Sequence, residues 1–225
     1  MAGSDIKTKA VVLRRTNYGE ADRIINILTP EGKMAVMAKG VRKEKSKLAG
    51  GIEMFSLTQI NLHQGKGKFA VLTGAKTEEF YQNLLSDFER MEVAAGLLKK
   101  ISKVSEMIDN PEFFSIIVQA LRVLNKGGNT ALVQAWFYFN LAVLSGEQVN
   151  LYKDTNGKDL KQGKRYTWDG TEKALRPDTA GKISTDEIKM MRLFLNAELS
   201  LVMRVKQAEE MAGELFYVAK TLNQM

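Results

Sequence analysis

A short run of positive charge is the part of the sequence best suited to chemistry. The stretch AKGVRKEKSKLAGG occupies residues 38–51, and Glu44 is its one anion. Its cationic side chains are those of Lys39, Arg42, Lys43, Lys45 and Lys47. Lysine and arginine bind nucleic-acid phosphates and release their counterions without reading the base sequence. The run therefore predicts a phosphate-binding connection, and its glycines predict a backbone free to follow a flexible strand. A solvated loop with no partner is the plain alternative.

The positive charge of the protein is concentrated in its N-terminal third. The 225 residues carry a formal net charge of +7; residues 1–80 hold 14 Lys and Arg against 8 Asp and Glu, and the rest hold 19 against 18. Arg14 and Arg15, on the first predicted strand, add to this charge. We expect an anionic partner for this third: a nucleic acid, a membrane surface or an acidic peptide.

Tyr18 and Phe69 are candidates for stacking on bases, although Phe69 suits a core better.

Glycine punctuation and apolar alternation predict five short strands between residues 6 and 80. Pro30 and Gly32 in TPEGK (29–33) are typical of a hairpin turn. Five strands in so short a segment predict a small closed barrel, and the OB-fold is the commonest architecture of that kind. The predicted fold class is therefore α+β, with an OB-fold barrel domain over residues 1–79 that carries the basic run.

After Thr77 the apolar residues recur at the three- and four-residue spacing of an amphipathic helix. These positions are Phe80, Leu84, Phe88, Met91, Ala95, Leu98 and Ile101. Asn110 and Ser184 are predicted to cap later helices. An α-helical domain is expected over 80–225, with a small β-hairpin insertion at about 150–183, where Asn-Gly and Asp-Gly pairs favour tight turns.

Several classes of function have no residues to support them. The chain has no cysteine, which excludes disulfides, thiolate metal sites and cysteine nucleophiles. Its single histidine, His63, lies alone on a predicted strand, and no P-loop motif occurs. We predict that the protein is not an enzyme and has no cofactor.

The most apolar segment, ALVQAWFYFNLAVL (131–144), is shorter than the ~20 residues of a membrane span and predicts a buried core helix. No signal peptide precedes the first strand. A cytoplasmic location without membrane contact is expected.

The N-terminal third resembles a known protein family. LRRTNYGEADRIINILTPEGK, followed by AKGVRKEKSKLAGGIEMFSL, is similar to the N-terminal domain of RecO, the bacterial recombination mediator, over about residues 13–57. The matching features are the Tyr-Gly-Glu-x-Asp-Arg turn, the Thr-Pro-Glu-Gly hairpin and Ala-Lys-Gly-x-Arg. The resemblance implies an OB-fold that binds single- and double-stranded DNA and anneals complementary strands. It also implies RecR and the C-terminal tail of single-stranded DNA-binding protein as partners, help in loading RecA, and a location at the bacterial nucleoid.

The insertion departs from that family. Many RecO proteins carry a four-cysteine zinc module there, whereas the stretch here is NLYKDTNGKDLKQGKRYTWDG. A structural zinc site needs four nitrogen or sulfur ligands in most cases, so no metal is predicted. Tyr152, Tyr166 and Trp168 are expected to pack in its place.

A second set of cations lies in the helical region: Lys99, Lys100, Lys103 and Arg122. They could line a groove for an acidic tail with an apolar end, although a solvated helix face is the simpler interpretation.

The preferred hypothesis is a DNA-binding mediator of recombinational repair. The residues assigned to DNA phosphates are Arg14, Arg15, Lys39, Arg42, Lys43, Lys45 and Lys47. Two alternatives stay open: an RNA-binding OB-fold protein, and a protein adaptor whose basic run binds acidic peptide tails.

Overall fold

The N-terminal part of the chain folds as a closed five-stranded barrel in the computed structural model, which describes residues 4–223. Its strands are β1 (Ser4–Tyr18), β2 (Asp22–Thr29), β3 (Gly32–Ala38), β4 (Ser56–Gln64) and β5 (Ala70–Phe80). They follow the order β1-β2-β3-β5-β4, and β4 pairs back onto β1. Neighbours are antiparallel except β3 and β5, which run parallel. The predicted OB-fold barrel and the α+β fold class are confirmed.

The long strand β1 serves two neighbours. Residues 4–11 pair with β4, and residues 11–18 pair with β2. A register shift between Val12 and Arg14 interrupts the second pairing. Such an irregularity bends a strand and increases its twist, which suits a strand that must follow the curved wall of a barrel.

Alternating inward residues fill the barrel. The core includes Ala10, Val12, Ile25, Ile27, Val36, Ala38, Ile60, Leu62, Ala70 and Leu72. Each strand contributes two of them, two positions apart, which is the period expected when one face of a strand is buried. Ile52, in a short 3₁₀ helix over Ala49–Ile52, belongs to the same core.

The predicted helix start at Phe80 is wrong, because β5 continues through that residue and pairs it with Ser56. A short 3₁₀ helix over Gln82–Ser86 follows, and α1 (Phe88–Val104) begins only at Phe88, which is 75% exposed. The buried face of α1 consists of Ala94, Leu97, Leu98 and Ile101. Of the apolar helix face predicted from Phe80 onward, only the C-terminal part, with Leu98 and Ile101, is buried on α1.

A half-buried lysine joins α1 to the barrel. The side chain of Lys33 on β3 is 14% exposed. Its ammonium group donates to the carbonyl oxygen of Ser102 at 2.8 Å and to the hydroxyl of the same residue at 3.2 Å. It also pairs with the Glu106 carboxylate at 2.9 Å. These contacts hold the C-terminal end of α1 against the β2–β3 hairpin.

The remaining helices are α2 (Glu112–Asn125), α3 (Thr130–Leu144), α4 (Thr185–Phe194), α5 (Leu199–Val202) and α6 (Ala208–Thr221). The chain forms two compact units, residues 1–121 and 122–225. In the second unit α3 packs against α6 and buries Trp136, Phe137 and Phe139, as predicted for a core helix. The proposed domain bounds of 1–79 and 80–225 stay a prediction.

Among residues 4–223, no helix has both the length and the apolar character needed to cross a membrane.

The insertion forms a three-stranded sheet. Its strands are β6 (Asn150–Asp154), β7 (Tyr166–Asp169) and β8 (Ala174–Pro177), in the order β6-β8-β7. The Asp169-Gly170 turn joins the antiparallel pair β7 and β8, as predicted. The Asn156-Gly157 turn only reverses the chain after β6, because β6 pairs in parallel with β8 and not with β7.

The aromatic residues of the insertion have different environments. Tyr166 and Trp168 are buried, as expected. Tyr152 is 64% exposed, so its predicted packing role is wrong. The guanidinium of Arg192 lies 4.4 Å from the centre of its ring and donates to the carbonyl oxygen of Leu151.

Two predicted helix starts are confirmed. Ser184 and Glu187 form a capping box at the start of α4. Asn110 accepts a hydrogen bond from the backbone N–H of Glu112 at 3.0 Å, where α2 begins.

Candidate nucleic-acid interface

The connection from Lys39 to Lys47, called the basic loop below, lies against the turn between β1 and β2. The backbone N–H of Gly40 donates to the Asp22 carboxylate at 2.6 Å. The backbone N–H of Arg42 donates to the carbonyl oxygen of Ala21 at 2.9 Å. Its guanidinium donates to the carbonyl oxygen of Gly19 at 3.1 Å. The start of the basic loop is therefore anchored, and the expectation of a freely moving connection is wrong there.

Glycines at two positions make this docking geometry accessible. Gly19 has φ +55° and Gly40 has φ +62°, in the left-handed region that other residues rarely adopt. Val41, between the anchored residues, is 2% exposed and joins the barrel core. The glycines thus permit a bend in the chain, and the buried Val41 side chain holds it.

The cations of the basic loop point to solvent. Lys39, Arg42, Lys43, Lys45 and Lys47 are all exposed. None of them forms an ion pair within residues 4–223. Glu44, also exposed, is the only acidic side chain in the loop. Because its backbone is already anchored, this cationic surface would need little further ordering to bind an anion.

The two arginines of β1 differ from each other. Arg14 is exposed. Arg15 is half-buried and donates to the Glu53 carboxylate at 2.8 Å and to the carbonyl oxygen of Ile52 at 3.5 Å. Arg15 therefore holds the far end of the β3–β4 connection against β1, and its charge is partly neutralised.

One of the two aromatic candidates is accessible. Tyr18, the last residue of β1, is 54% exposed and pairs in register with Asp22, the residue that anchors the basic loop. Phe69 is half-buried, and the Lys68 ammonium lies 5.6 Å from the centre of its ring. An exposed ring near unpaired cations is the combination used to stack bases of a single strand.

Asp22 is the residue of this surface whose role the sequence reasoning missed. It lies in the quoted Tyr-Gly-Glu-x-Asp-Arg turn, but its partner Gly40 is 18 residues away. The sequence carries no signal for this contact beyond the presence of an acidic residue in the turn and a glycine in the later connection.

The helical cations occupy two elements. Lys99, Lys100 and Lys103 lie on α1, with Lys99 and Lys103 exposed. Partial burial lowers the pKa of the Lys100 ammonium, and the neighbouring charge of Lys103 lowers it further. Arg122 lies on α2 and is exposed; it belongs to the second compact unit.

Metal-ligating side chains do not cluster in the part of the chain that the structure describes. Within residues 4–223 no three His, Asp or Glu side chains come together as ligands. His63 on β4 is half-exposed, and its Nδ1 lies 2.7 Å from the Asp5 carboxylate. That contact is a cross-strand pair, since the two residues face each other in the β1–β4 register.

Comparison with known proteins covers nearly the whole chain. The family model described as recombination protein O N terminal matches residues 1–81, and the one described as recombination protein O C terminal matches residues 85–222. DNA repair protein RecO of Dehalococcoides mccartyi (strain CBDB1) is 30% identical over 219 residues, covering 94% of this chain and 86% of that protein. DNA repair protein RecO of Roseiflexus sp. (strain RS-1) is 32% identical over 213 residues, covering 93% and 73%. The OB-fold barrel, the exposed cations and these matches lead to one conclusion: the chain belongs to the RecO family of DNA repair proteins.

Proposed function

We propose that this chain binds single- and double-stranded DNA through its barrel and anneals complementary strands. The observation that carries the proposal is the set of exposed, unpaired cations on the anchored basic loop. The residues proposed to contact phosphates are Arg14, Arg15, Lys39, Arg42, Lys43, Lys45 and Lys47. Arg15 contributes least, because Glu53 already pairs with it. Tyr18 supplies a ring on which a base can stack.

Annealing by this surface needs no bond chemistry. Two complementary strands repel each other through their phosphates, and cations that neutralise this charge lower the barrier to their meeting. The protein acts by binding and not as an enzyme. Sequence-independent phosphate contacts are suited to this task, because the strands to be paired differ from one site of damage to the next.

We further infer that the protein works with partners in the bacterial cytoplasm, at the nucleoid. These partners are RecR and the C-terminal tail of single-stranded DNA-binding protein, and together they help to load RecA. Lys99, Lys100 and Lys103, on α1, are the proposed contacts for the acidic tail, and Arg122 is proposed as a separate contact on the second compact unit. The spacing of Lys99 and Lys103, one helical turn apart, supports a row of charge on α1.

The test is fluorescence anisotropy of a labelled single-stranded oligonucleotide at several salt concentrations. One variant replaces Lys39, Lys43, Lys45 and Lys47 by alanine and keeps Arg42, whose guanidinium bonds the β1–β2 turn. The matched control replaces four exposed cations outside the barrel, which make no ion pair within the described residues: Lys126, Arg204, Lys206 and Lys220.

We expect the loop variant to bind DNA more weakly, with a salt slope smaller by up to about 3, since each lost phosphate contact on a single strand removes about 0.7. The control should bind like the parent protein. Equal binding by both variants would exclude the basic loop as the DNA site. Tighter binding of RNA of the same sequence would favour the RNA alternative, and tight binding of an acidic peptide with weak DNA binding would favour the adaptor.

A further inference from the structure

A second group of cations lies in the insertion, in the connection between β6 and β7. Residues 158–165 have the sequence KDLKQGKR, with four cations and one anion in eight residues. The cationic side chains are those of Lys158, Lys161, Lys164 and Arg165, and all are exposed. None of them forms an ion pair within residues 4–223. This segment therefore has a net charge of +3 in eight residues, against +4 in the nine residues of the basic loop.

These four side chains line one groove, called the basic groove below. It has a volume of about 430 Å³, and Tyr166 and Pro177 form part of its wall. A neighbouring groove of about 360 Å³ shares Lys164 and Arg165 and extends to Lys189. Because two residues line both grooves, the cations border a continuous depression and do not converge on one point. That shape suits an extended polyanion better than a single small anion.

The backbone beneath the basic groove is held in place. The Asp154 carboxylate, 8% exposed, accepts hydrogen bonds from the N–H groups of Asn156 at 2.8 Å and Lys158 at 3.0 Å. The N–H of Lys161 donates to the Tyr166 hydroxyl at 2.8 Å. The Arg165 guanidinium donates to the carbonyl oxygen of Gly181 at 3.3 Å. The cations are thus presented by an ordered segment.

Three carboxylates line the basic groove beside its four cations: Asp154, Asp159 and Asp178. Asp154 is occupied by backbone amides, and Asp178 accepts a hydrogen bond from the N–H of Ala180 at 2.9 Å. Asp186 pairs with Lys189 at 3.0 Å. Asp159 is the one exposed carboxylate within the 158–165 segment. The lining of the basic groove therefore has a net charge of +1, and its four cations are exposed whereas Asp154 is buried, so its surface favours anions.

We propose that the basic groove holds a second DNA strand by its phosphates while the basic loop holds the first. The inference rests on the proposed function. Annealing brings two strands together, and the two cationic surfaces belong to different compact units of the chain. The groove lies in the β-rich insertion formed by β6, β7 and β8.

The test uses a variant in which Lys158, Lys161 and Lys164 are replaced by alanine. Arg165 is kept because it bonds a backbone carbonyl group. The matched control replaces Lys126, Lys206 and Lys220. Two measurements are made: anisotropy with one labelled strand, and the annealing rate of two labelled complementary strands by fluorescence energy transfer. The groove variant should bind a single strand like the control but anneal about tenfold more slowly, with a salt slope of annealing smaller by about 2.

A second pair of proteins isolates the groove. In the background of the four-lysine loop variant, which keeps Arg14, Arg15 and Arg42, the groove substitutions should weaken the remaining salt-dependent DNA binding further, whereas the control substitutions should leave it unchanged. Circular dichroism checks that each variant is folded. Annealing by the groove variant at the control rate overturns the inference while the proposed function stands. Absence of DNA binding by the parent protein overturns both, and binding of polyglutamate but not DNA at the groove assigns the surface to an acidic protein.

Discussion

Removing the Asp22 carboxylate sets two physical effects against each other. The carboxylate is an anion beside the basic loop, so Coulomb attraction alone predicts that Asp22→Ala binds DNA more tightly. The same carboxylate accepts the Gly40 N–H at 2.6 Å and anchors the loop. If the anchoring matters, the substitution weakens binding although it makes the surface more positive. Glu44→Ala is the matched control, because it removes the charge of an exposed carboxylate in the loop.

The size of the effect follows from the contact. A hydrogen bond to a charged group contributes about 1.5–3 kcal/mol. Asp22 and Gly40 are only half-buried, so water replaces part of the lost bond and we expect about 1–2 kcal/mol. Amide hydrogen exchange at Gly40 and Arg42 should accelerate by roughly 5- to 30-fold. Binding of a single-stranded oligonucleotide should be at least about threefold weaker than in Glu44→Ala, since only molecules with a docked loop bind well.

Two outcomes would refute this reasoning. If Asp22→Ala and Glu44→Ala bind the oligonucleotide equally well, the anchored conformation plays no part in DNA binding. If exchange at Gly40 is unchanged, the carboxylate contact does not order the loop.

Other expected outcomes concern stability, measured by urea denaturation. Lys33→Met should destabilise the first compact unit by about 1–3 kcal/mol, because the carbonyl oxygen beneath the ammonium loses its donor. Lys33 also lowers the pKa of Glu106 below its ordinary value of 4.5, so the stability from this pair is complete above that pH and is lost as the pH falls through the lowered pKa. The decrease in the free energy of unfolding between about pH 5 and pH 3 should therefore be smaller in Lys33→Met than in the parent protein. Gly51→Ala should cost about 1–3 kcal/mol, since its Cβ would overlap the Ala75 side chain. Gly50→Ala meets no atom within 4 Å and should stay within about 0.5 kcal/mol; equal effects of the two changes would contradict the packing argument.

The barrel could be predicted because its signals are local. The Thr-Pro-Glu-Gly turn sets the β2–β3 hairpin, and alternating apolar residues mark which face of each strand is buried. The Ser184 capping box was recognisable for the same reason, since both partners lie within four residues. Elements whose determinants are neighbours in sequence need no knowledge of the fold.

Longer-range contacts explain the errors. β5 extends to Phe80 because β4 pairs with it as far as that residue, whereas Gly74, Ala75, Lys76, Glu78 and Glu79 are residue types depleted in strands. Asp22 anchors Gly40 across 18 residues, a link that no spacing reveals. Tyr152 was predicted to be buried as an aromatic residue, but Arg192, on a distant helix, provides a surface partner for its ring. Composition identified the cations of the basic loop. It did not reveal the hydrogen bonds that hold the backbone beneath them.

The wall of the barrel has one short seam. Strands β3 and β5 meet through only two residue pairs, Val36 with Ala70 and Met37 with Val71, whereas β1 and β2 share seven. Because this parallel closure has so few backbone pairs to offset the entropy cost of closing the loop between β3 and β5, it should form last during folding. On warming, the seam should open first and convert the barrel into an open sheet with two bare edges. Such edges pair readily with other chains, so the temperature at which this protein begins to aggregate should be set by the strength of the seam and not by the melting of its helices.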